Sequence, residues 1–394
     1  MLKDKKIVLV VSGGIAAYKA IDLASRLKKL GAKVRTILTK NALEFVREIN
    51  FRAITGEPTY TDQFDLNEPI AHITLSDWAD MIVIAPATAN IIGKLANGIG
   101  DDLATSTMLA FYKPILVVPA MNVNMYHNLA VQHNIQVIQQ RGIHLLIPEK
   151  GMLACGYEGR GKYPPNEEVI PAIITYLNYQ ENIQSKYLIT MGASQEDLDP
   201  MRFITNHSSG KMGIALARAA YLRGGDLAVI HSRISETLPY YIENTQETLS
   251  AEEMFLQVKE QYQKAEVIIM CAAVADYSPV VKQEQKIKKS CEMSLELKRT
   301  QDILKYLGEN KKPGQILVGF AAESENIIEN AKVKLRKKNL DLIIANNISV
   351  SQSDYSEAYL ITADNMTEFK GSKFDLANKI VDTIKVLRKV VKKI

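Results

Sequence analysis

The sequence predicts an α/β protein built from two doubly wound, mostly parallel-sheet (Rossmann-like) domains. Three observations carry that expectation. Short, mostly apolar runs recur at residues 7–11, 81–85, 115–118, 187–190 and 267–270, which suits strands buried on both faces. Segments with apolar residues three and four apart lie between them. The strand–turn–helix start near residue 7 is repeated near residue 187. Alternation of this kind implies a parallel sheet with helices on both faces.

In chain order, residues 7–11 read as a strand and Ser12-Gly13-Gly14 as a turn. A helix follows, with Ala20, Leu23, Ala24, Leu27 and Leu30 on one face and Gly31 placed to end it. Residues 34–38, 81–85 and 115–118 continue the strand series. The second start has a strand at 187–190, a polar loop ending in Ser208-Ser209-Gly210, and a helix bearing Ile214, Ala215, Ala217 and Leu222 before Gly224-Gly225. Strands are expected at 226–231, 267–270 and 342–345. Residues 293–297 and 359–361 have strand patterns outside the βα alternation, and Asp364-Asn365 is a turn signal that pairs the second of these with Glu368-Phe369 as a hairpin. An amphipathic helix with Leu376, Ile380, Ile384 and Leu387 closes the chain. The polar stretch 178–185 marks the boundary between domains at 1–180 and 187–394.

Composition narrows the function classes. A chain of 394 residues suits two or three domains at roughly 150 each. A net charge of +4 gives no case for nucleic acid, and the basic end (Lys389, Lys392, Lys393) reads as a solvated, dipole-compatible helix terminus. No apolar run reaches the roughly 18 residues of a membrane span. From the polar start and the short run at 7–11 no secretory leader is expected. Cys155, Cys271 and Cys291 are an odd set without Cys-x-x-Cys, so a reducing, cytoplasmic setting is expected.

The chemistry-bearing loops lie where strands hand over to helices, the usual ligand position in open α/β sheets. Ser12-Gly13-Gly14-Ile15-Ala16 offers backbone N–H groups to a phosphate, but the full G-x-G-x-x-G is absent, which weakens a nicotinamide reading. Ala85-Pro86-Ala87-Thr88-Ala89-Asn90 supplies small residues beside which a flat ring fits. Pro119-Ala120-Met121-Asn122-Val123-Asn124-Met125-Tyr126 follows the next strand. Gly151-Met152-Leu153-Ala154-Cys155-Gly156, with Gly159 and Gly161, reads as a mobile glycine-rich flap carrying an acid. Singly, His72 is more often a structural histidine, Cys155 a small buried hydrophobe and Asn122 a turn residue. In the second half, the long polar segment 192–213 needs a ligand to justify its length, and its order excludes a Walker A loop. Ala272-Ala273-Val274-Ala275-Asp276-Tyr277, Lys286, Gln301-Asp302-Ile303-Leu304, Phe320, Lys334 and Lys338 form the remaining set; each lysine alone reads as a solvated charge.

Residues 5–175 resemble the flavoprotein cysteine decarboxylases, specifically phosphopantothenoylcysteine decarboxylase, on the P-A-M-N-x-x-M segment, the L-A-C-G loop and His72. The resemblance implies a flavodoxin-like fold with FMN held by Ser12, Gly14, Thr39, Thr88, Asp102 and Ser106. It places His72 beside flavin and substrate, Asn122 on the substrate carboxylate and Cys155 as proton donor. The chemistry needs an electron sink, because a carboxylate on saturated carbon leaves poorly; oxidation of the thiol to a thioaldehyde supplies it, and an acid protonates the enethiol left after CO₂ loss. Residues 187 to about 370 resemble the CTP-using phosphopantothenate–cysteine ligases. That resemblance implies that Asn206 stabilises an acyl cytidylate. It places Ala272, Asp276, Gln301, Asp302, Ile303, Leu304 and Phe320 around the nucleotide, and Lys286, Lys334 and Lys338 on its phosphates. Lysines and a divalent cation, Mg²⁺ by preference, would offset charge on the leaving phosphates. The implied substrates are 4′-phosphopantothenate, L-cysteine and CTP. A homo-oligomer of trimeric flavin domains and dimeric ligase domains is also implied.

This chain departs from the family pattern at Lys162 and Gln195, where arginines are usual, at Pro165, where an acid is usual, and at His207, another arginine position. The alternatives are a related flavoprotein with a different substrate, a non-enzymatic regulator with a degenerate ligase half, and a nicotinamide oxidoreductase.

Overall fold

In the computed structural model, the structure describes residues 2–64, 70–154, 156–179, 184–288, 294–323, 325–347 and 355–391. The chain divides into two compact units, Met1–Gln180 and Glu181–Ile394.

The first unit holds β1 (Lys6–Val11), α1 (Ala17–Lys29), β2 (Lys33–Leu38), α2 (Glu48–Thr55), β3 (Thr59–Tyr60), α3 (Ala71–Trp78), β4 (Met81–Ala87), α4 (Ala89–Asn97), α5 (Leu103–Ala110), β5 (Ile115–Pro119), α6 (Val123–His127), α7 (Leu129–Gln140), β6 (His144–Leu145), β7 (Glu149–Met152), β8 (Glu158–Lys162) and α8 (Asn166–Asn178). Its main sheet has the order β3-β2-β1-β4-β5-β6, with every pairing parallel. Without the two-residue edge strand β3, this is the 2-1-3-4-5 order of flavodoxin-like sheets. Strand β4 is buried along its whole length, as its unbroken apolar run requires. The chain reverses its direction of winding between β1 and β4, and loops leaving that switch point form the ligand crevice of such sheets.

Residues 151–161, expected as a loop, are instead largely an antiparallel hairpin, β7 with β8. Its glycines make docking possible rather than disorder. Gly161 has φ +150°, and a Cβ there would lie 2.3 Å from the Met121 carbonyl oxygen. Only a residue without a side chain lets β8 accept the Met121 N–H at 2.9 Å.

The second unit holds β9 (Lys186–Met191), β10 (Gln195–Asp197), β11 (Phe203–Thr205), α9 (Lys211–Leu222), β12 (Asp226–His231), β13 (Thr245–Glu247), α10 (Ala251–Gln261), β14 (Val267–Met270), β15 (Tyr277–Pro279), β16 (Leu297–Arg299), α11 (Ile303–Asn310), β17 (Ile316–Glu323), α12 (Ile327–Lys337), β18 (Leu342–Asn347), β19 (Tyr355–Ile361), β20 (Met366–Ser372) and α13 (Lys373–Val391). The sheet runs β13-β12-β9-β14-β17-β18-β19-β20. Six strands are parallel in Rossmann order, and β19–β20 is the expected antiparallel hairpin. Of the strand expected at 293–297, residue 293 lies outside the described residues; the strand described there is Leu297–Arg299, which pairs with β15 as a two-stranded ribbon outside the main sheet. The switch point falls between β9 and β14, and it is there that the long polar segment leaves β9.

Candidate functional site

Two contiguous clefts lie at the first unit's switch point. One, of about 480 Å³, is lined by Ser12, Thr39, Thr88, Lys94 and Asp102 among others. The second, of about 530 Å³, is lined by Gly14, Ile15, Lys19, Met121, Asn122, Met125, Met152, Lys162 and Tyr163, and the two share Gly13, Thr88 and Met125. The buried Ser12 hydroxyl donates to the Pro86 carbonyl at 2.8 Å and accepts the Thr88 N–H at 3.0 Å. That clamp joins the β1 and β4 loops. Asp102 caps α5 by accepting the Thr105 N–H, while Lys94 reaches both Asp101 (2.7 Å) and Asp102 (3.0 Å). Burial works to raise the Asp102 pKa, but the Thr105 and Lys94 hydrogen bonds outweigh it and hold it below the usual carboxylate range. Ser106 lines neither cleft; its hydroxyl donates to the Gly100 carbonyl at 3.2 Å.

Asn122 caps α6, its side chain accepting the Asn124 N–H at 2.8 Å. Cys155 lies outside the described residues, although the hairpin strands that flank it are described. His72 sits on α3 and lines neither cleft. Its Nδ1 is buried and has no hydrogen-bond partner among the described residues. Lys162 is held by Glu149 at 3.0 Å. Lys19, not singled out by sequence, stands over the Tyr163 ring; burial and then the Lys162 charge push its pKa down. Pro165 is the N-cap of α8.

In the second unit a cleft of about 460 Å³ collects Ala272, Asp276, Gln301, Asp302, Ile303, Leu304, Phe320, Lys334 and Lys338. It also takes in Tyr277, the end of the Ala272–Tyr277 segment, and Arg299 and Thr300, which sequence reasoning passed over because lone polar residues on a short ribbon carry no periodic signal. Asp302 caps α11 through the Lys305 N–H at 3.0 Å and holds Lys338 with both oxygens, at 3.0 and 2.9 Å. Burial acts to raise the Asp302 pKa, yet these bonds lower it on balance. Lys334 donates to the Phe320 carbonyl at 2.8 Å; burial, then the Lys338 charge, lowers its pKa from the ordinary lysine value. Asn206 donates to the carbonyls of Ala273 (3.3 Å) and Val274 (3.1 Å), tying the polar segment to the wall of this cleft.

Lys286 does not line the cleft; it is exposed, on a stretch anchored where the Ile287 N–H meets the buried Asp199 carboxylate at 3.0 Å. Gln195 donates to Asp197 at 3.0 Å, and its Oε1 is buried with no partner among the described residues; His207 is exposed.

The chain is 42% identical over 401 residues to the coenzyme A biosynthesis bifunctional protein CoaBC of Bacillus subtilis (strain 168), covering 99% of this chain and 98% of that protein. The chain belongs to the CoaBC family. Residues 1–178 match the family described as flavoprotein, and residues 183–387 match the DNA/pantothenate metabolism flavoprotein C-terminal domain. Among solved structures, it resembles the C-terminal domain of a CoaBC protein (36% identity, 53% of this chain and 97% of that one, TM-score 0.46). It also resembles the FMN-binding protein AtHal3 (32% identity, 44% and 97%, TM-score 0.41).

Membership of the CoaBC family makes the first unit a flavoprotein unit, and its clefts suit the cofactor. Among the described residues the N–H groups of Gly13, Gly14 and Ile15 donate to no protein acceptor, which leaves donors for a phosphate at the start of α1. Ile15, Met121, Met125 and Met152 give an apolar wall for a flat ring. The divalent cation is a different case. Among the described residues no group of three His, Cys, Asp or Glu side chains is arranged to hold a metal ion. Among the described residues no helix is long and apolar enough to cross a membrane.

Proposed function

We propose that this chain joins L-cysteine to 4′-phosphopantothenate at the expense of CTP, and then decarboxylates the product to 4′-phosphopantetheine with FMN. The carrying observation is the near full-length likeness to CoaBC, covering both units and the clefts of each. In the ligase unit the 4′-phosphopantothenate carboxylate attacks the α-phosphate of CTP and pyrophosphate leaves. The cysteine amine then displaces CMP from the acyl cytidylate. Ala272, Asp276, Gln301–Leu304 and Phe320 would enclose the nucleotide, with Lys334 and Lys338 toward its phosphates. Lys286 would have to move from its exposed position to join them. Asn206, hydrogen-bonded beside that cleft, would hold the acyl cytidylate. A divalent cation would arrive as the counter-ion of the triphosphate, since the described residues offer it no cage.

In the flavin unit, Ser12, Gly14, Thr39, Thr88 and Asp102 would hold FMN, which supplies the redox step that makes the carboxylate a leaving group. Asn122 would orient that carboxylate without adding charge, and Cys155 would return the proton. His72 is apart from the Asn122 cleft within this chain, which favours a homo-oligomer in which a neighbouring copy brings α3 to it. Trimeric flavin units and dimeric ligase units are the proposed assembly, in the cytoplasm.

The test is mass spectrometry of products formed from 4′-phosphopantothenate, cysteine and CTP. The expected products are CMP, pyrophosphate and 4′-phosphopantetheine. In Asn206→Asp, amide formation should be lost, while supplied 4′-phosphopantothenoylcysteine is still decarboxylated. A related flavoprotein with another substrate would give no CMP in either chain.

A further inference from the structure

The phosphate-facing charge of the ligase cleft is unevenly compensated. Lys338 is neutralised by Asp302, which grips it with both carboxylate oxygens. Lys334 is engaged by the Phe320 carbonyl, and burial disfavours its charged form. Lys286 is outside the cleft. Arg299 differs from all three. It lines the same cleft, yet among the described residues its guanidinium has no carboxylate or carbonyl partner. A guanidinium keeps its charge at any accessible pH and presents parallel donors that match phosphate oxygens.

The backbone holding Arg299 is fixed. It ends β16, paired opposite Tyr277 of β15. The next residue, Thr300, donates its hydroxyl to the Ala275 carbonyl at 2.6 Å and its N–H to the Asp276 carbonyl at 3.0 Å. Asp302, two residues further on, caps α11. Arg299 therefore stands between the Asp276 wall and the Gln301–Leu304 wall on a clamped strand end.

We propose that Arg299 is a further binding residue of the ligase cleft and takes the phosphate tail of the nucleoside triphosphate. This rests on the CTP-ligase reading above and adds to it a contact made by none of the residues that reading names. Arg299 contributes to ground-state capture of the triphosphate, so its loss falls on KM for CTP before it falls on kcat.

The experiment compares the full-length wild type with Arg299→Gln and Arg299→Lys. CMP release is followed against CTP concentration with the other substrates saturating. Cytidine, which lacks phosphates, is titrated as a competitor. Retention of kcat and of cytidine inhibition reports folding of the ligase unit, and flavin absorbance in the same preparations reports folding of the other. Arg299→Gln is expected to raise KM for CTP about tenfold or more, the scale of one charged hydrogen bond. It should change kcat by less than about threefold and leave cytidine inhibition as in wild type. Arg299→Lys should recover most of the loss. An unchanged KM in Arg299→Gln, or equal weakening of CTP and cytidine, overturns the assignment while wild-type CMP release upholds the ligase reading. A wild type that consumes no CTP overturns both.

Discussion

At the scale of the residue, burial and charge have separated lysines that sequence alone treats as equals. Lys334 and Lys338 are both partly buried, but of the two only Lys334 lacks a carboxylate partner among the described residues, and its pKa is moved down from 10.5 by burial first and by Lys338 second. The sign follows directly. The free chain releases the Lys334 proton at lower pH than an ordinary lysine would, and a bound triphosphate favours its charged form. CTP affinity should therefore decline as pH rises through that lowered pKa, before pH 10.5 is reached. In Lys334→Arg the charge persists, so the alkaline rise in KM for CTP should move to higher pH. A pH profile of CMP release at several CTP concentrations checks this; coincident alkaline limbs in the two chains would remove Lys334 from the binding equilibrium. The Lys338–Asp302 pair, roughly one-fifth and one-half exposed, belongs to the class of ion pairs worth about 0–1 kcal/mol, so its value lies in holding α11 and α12 side chains in register with the cleft.

At the scale of the element, the hairpin β7–β8 of the flavin unit has little freedom to change at its glycines. Gly159 would place a Cβ 2.5 Å from Val123 Cγ2, and Gly161 one 2.3 Å from the Met121 carbonyl. Both contacts fall on the segment that carries Asn122. Gly161→Ala should cost about 1–3 kcal/mol in local strain and lost docking. Decarboxylation is expected to fall tenfold or more with CMP release unchanged; equal turnover of 4′-phosphopantothenoylcysteine by Gly161→Ala and wild type would show that the docking is unnecessary. This hairpin also shows where sequence reading stops. Strands such as β4 and β14 are buried throughout, so their apolar runs announce them. The hairpin is rich in glycine and has a single buried residue, Gly161, and such a pattern reads as a loop. The ribbon strand β16 is exposed at all three positions, so no hydrophobic face fixes its register, and nothing in the pattern singles out Arg299 at its end. Loops leaving β1, β4, β9 and β14 were legible for the opposite reason: their small residues follow strands whose ends are sharply marked.

At the scale of the whole molecule, each unit has its own interior. The core of the first draws on Val8, Ile82, Leu95, Val117 and Ile138; that of the second draws on Leu188, Ile268, Leu307, Leu317 and Ile343. Each unit also closes its own sheet, of six strands in one and eight in the other. A cleft that depends on strands and loops of one core is insensitive to a side-chain change in the other, so the two reactions should fail independently. Cys155→Ser should stop the second reaction while CMP release continues, and Asn206→Asp should stop the first while decarboxylation continues. The free intermediate then links the two reactions, since a product released by one cleft must be captured by another. Mixing these two full-length variants, each unable to complete the sequence, should restore 4′-phosphopantetheine formation from 4′-phosphopantothenate, with a lag that shortens as protein concentration rises. If the mixture stays silent while each variant keeps its surviving activity, the intermediate does not leave the chain that made it, and independence of the cores does not extend to independence of the chemistry.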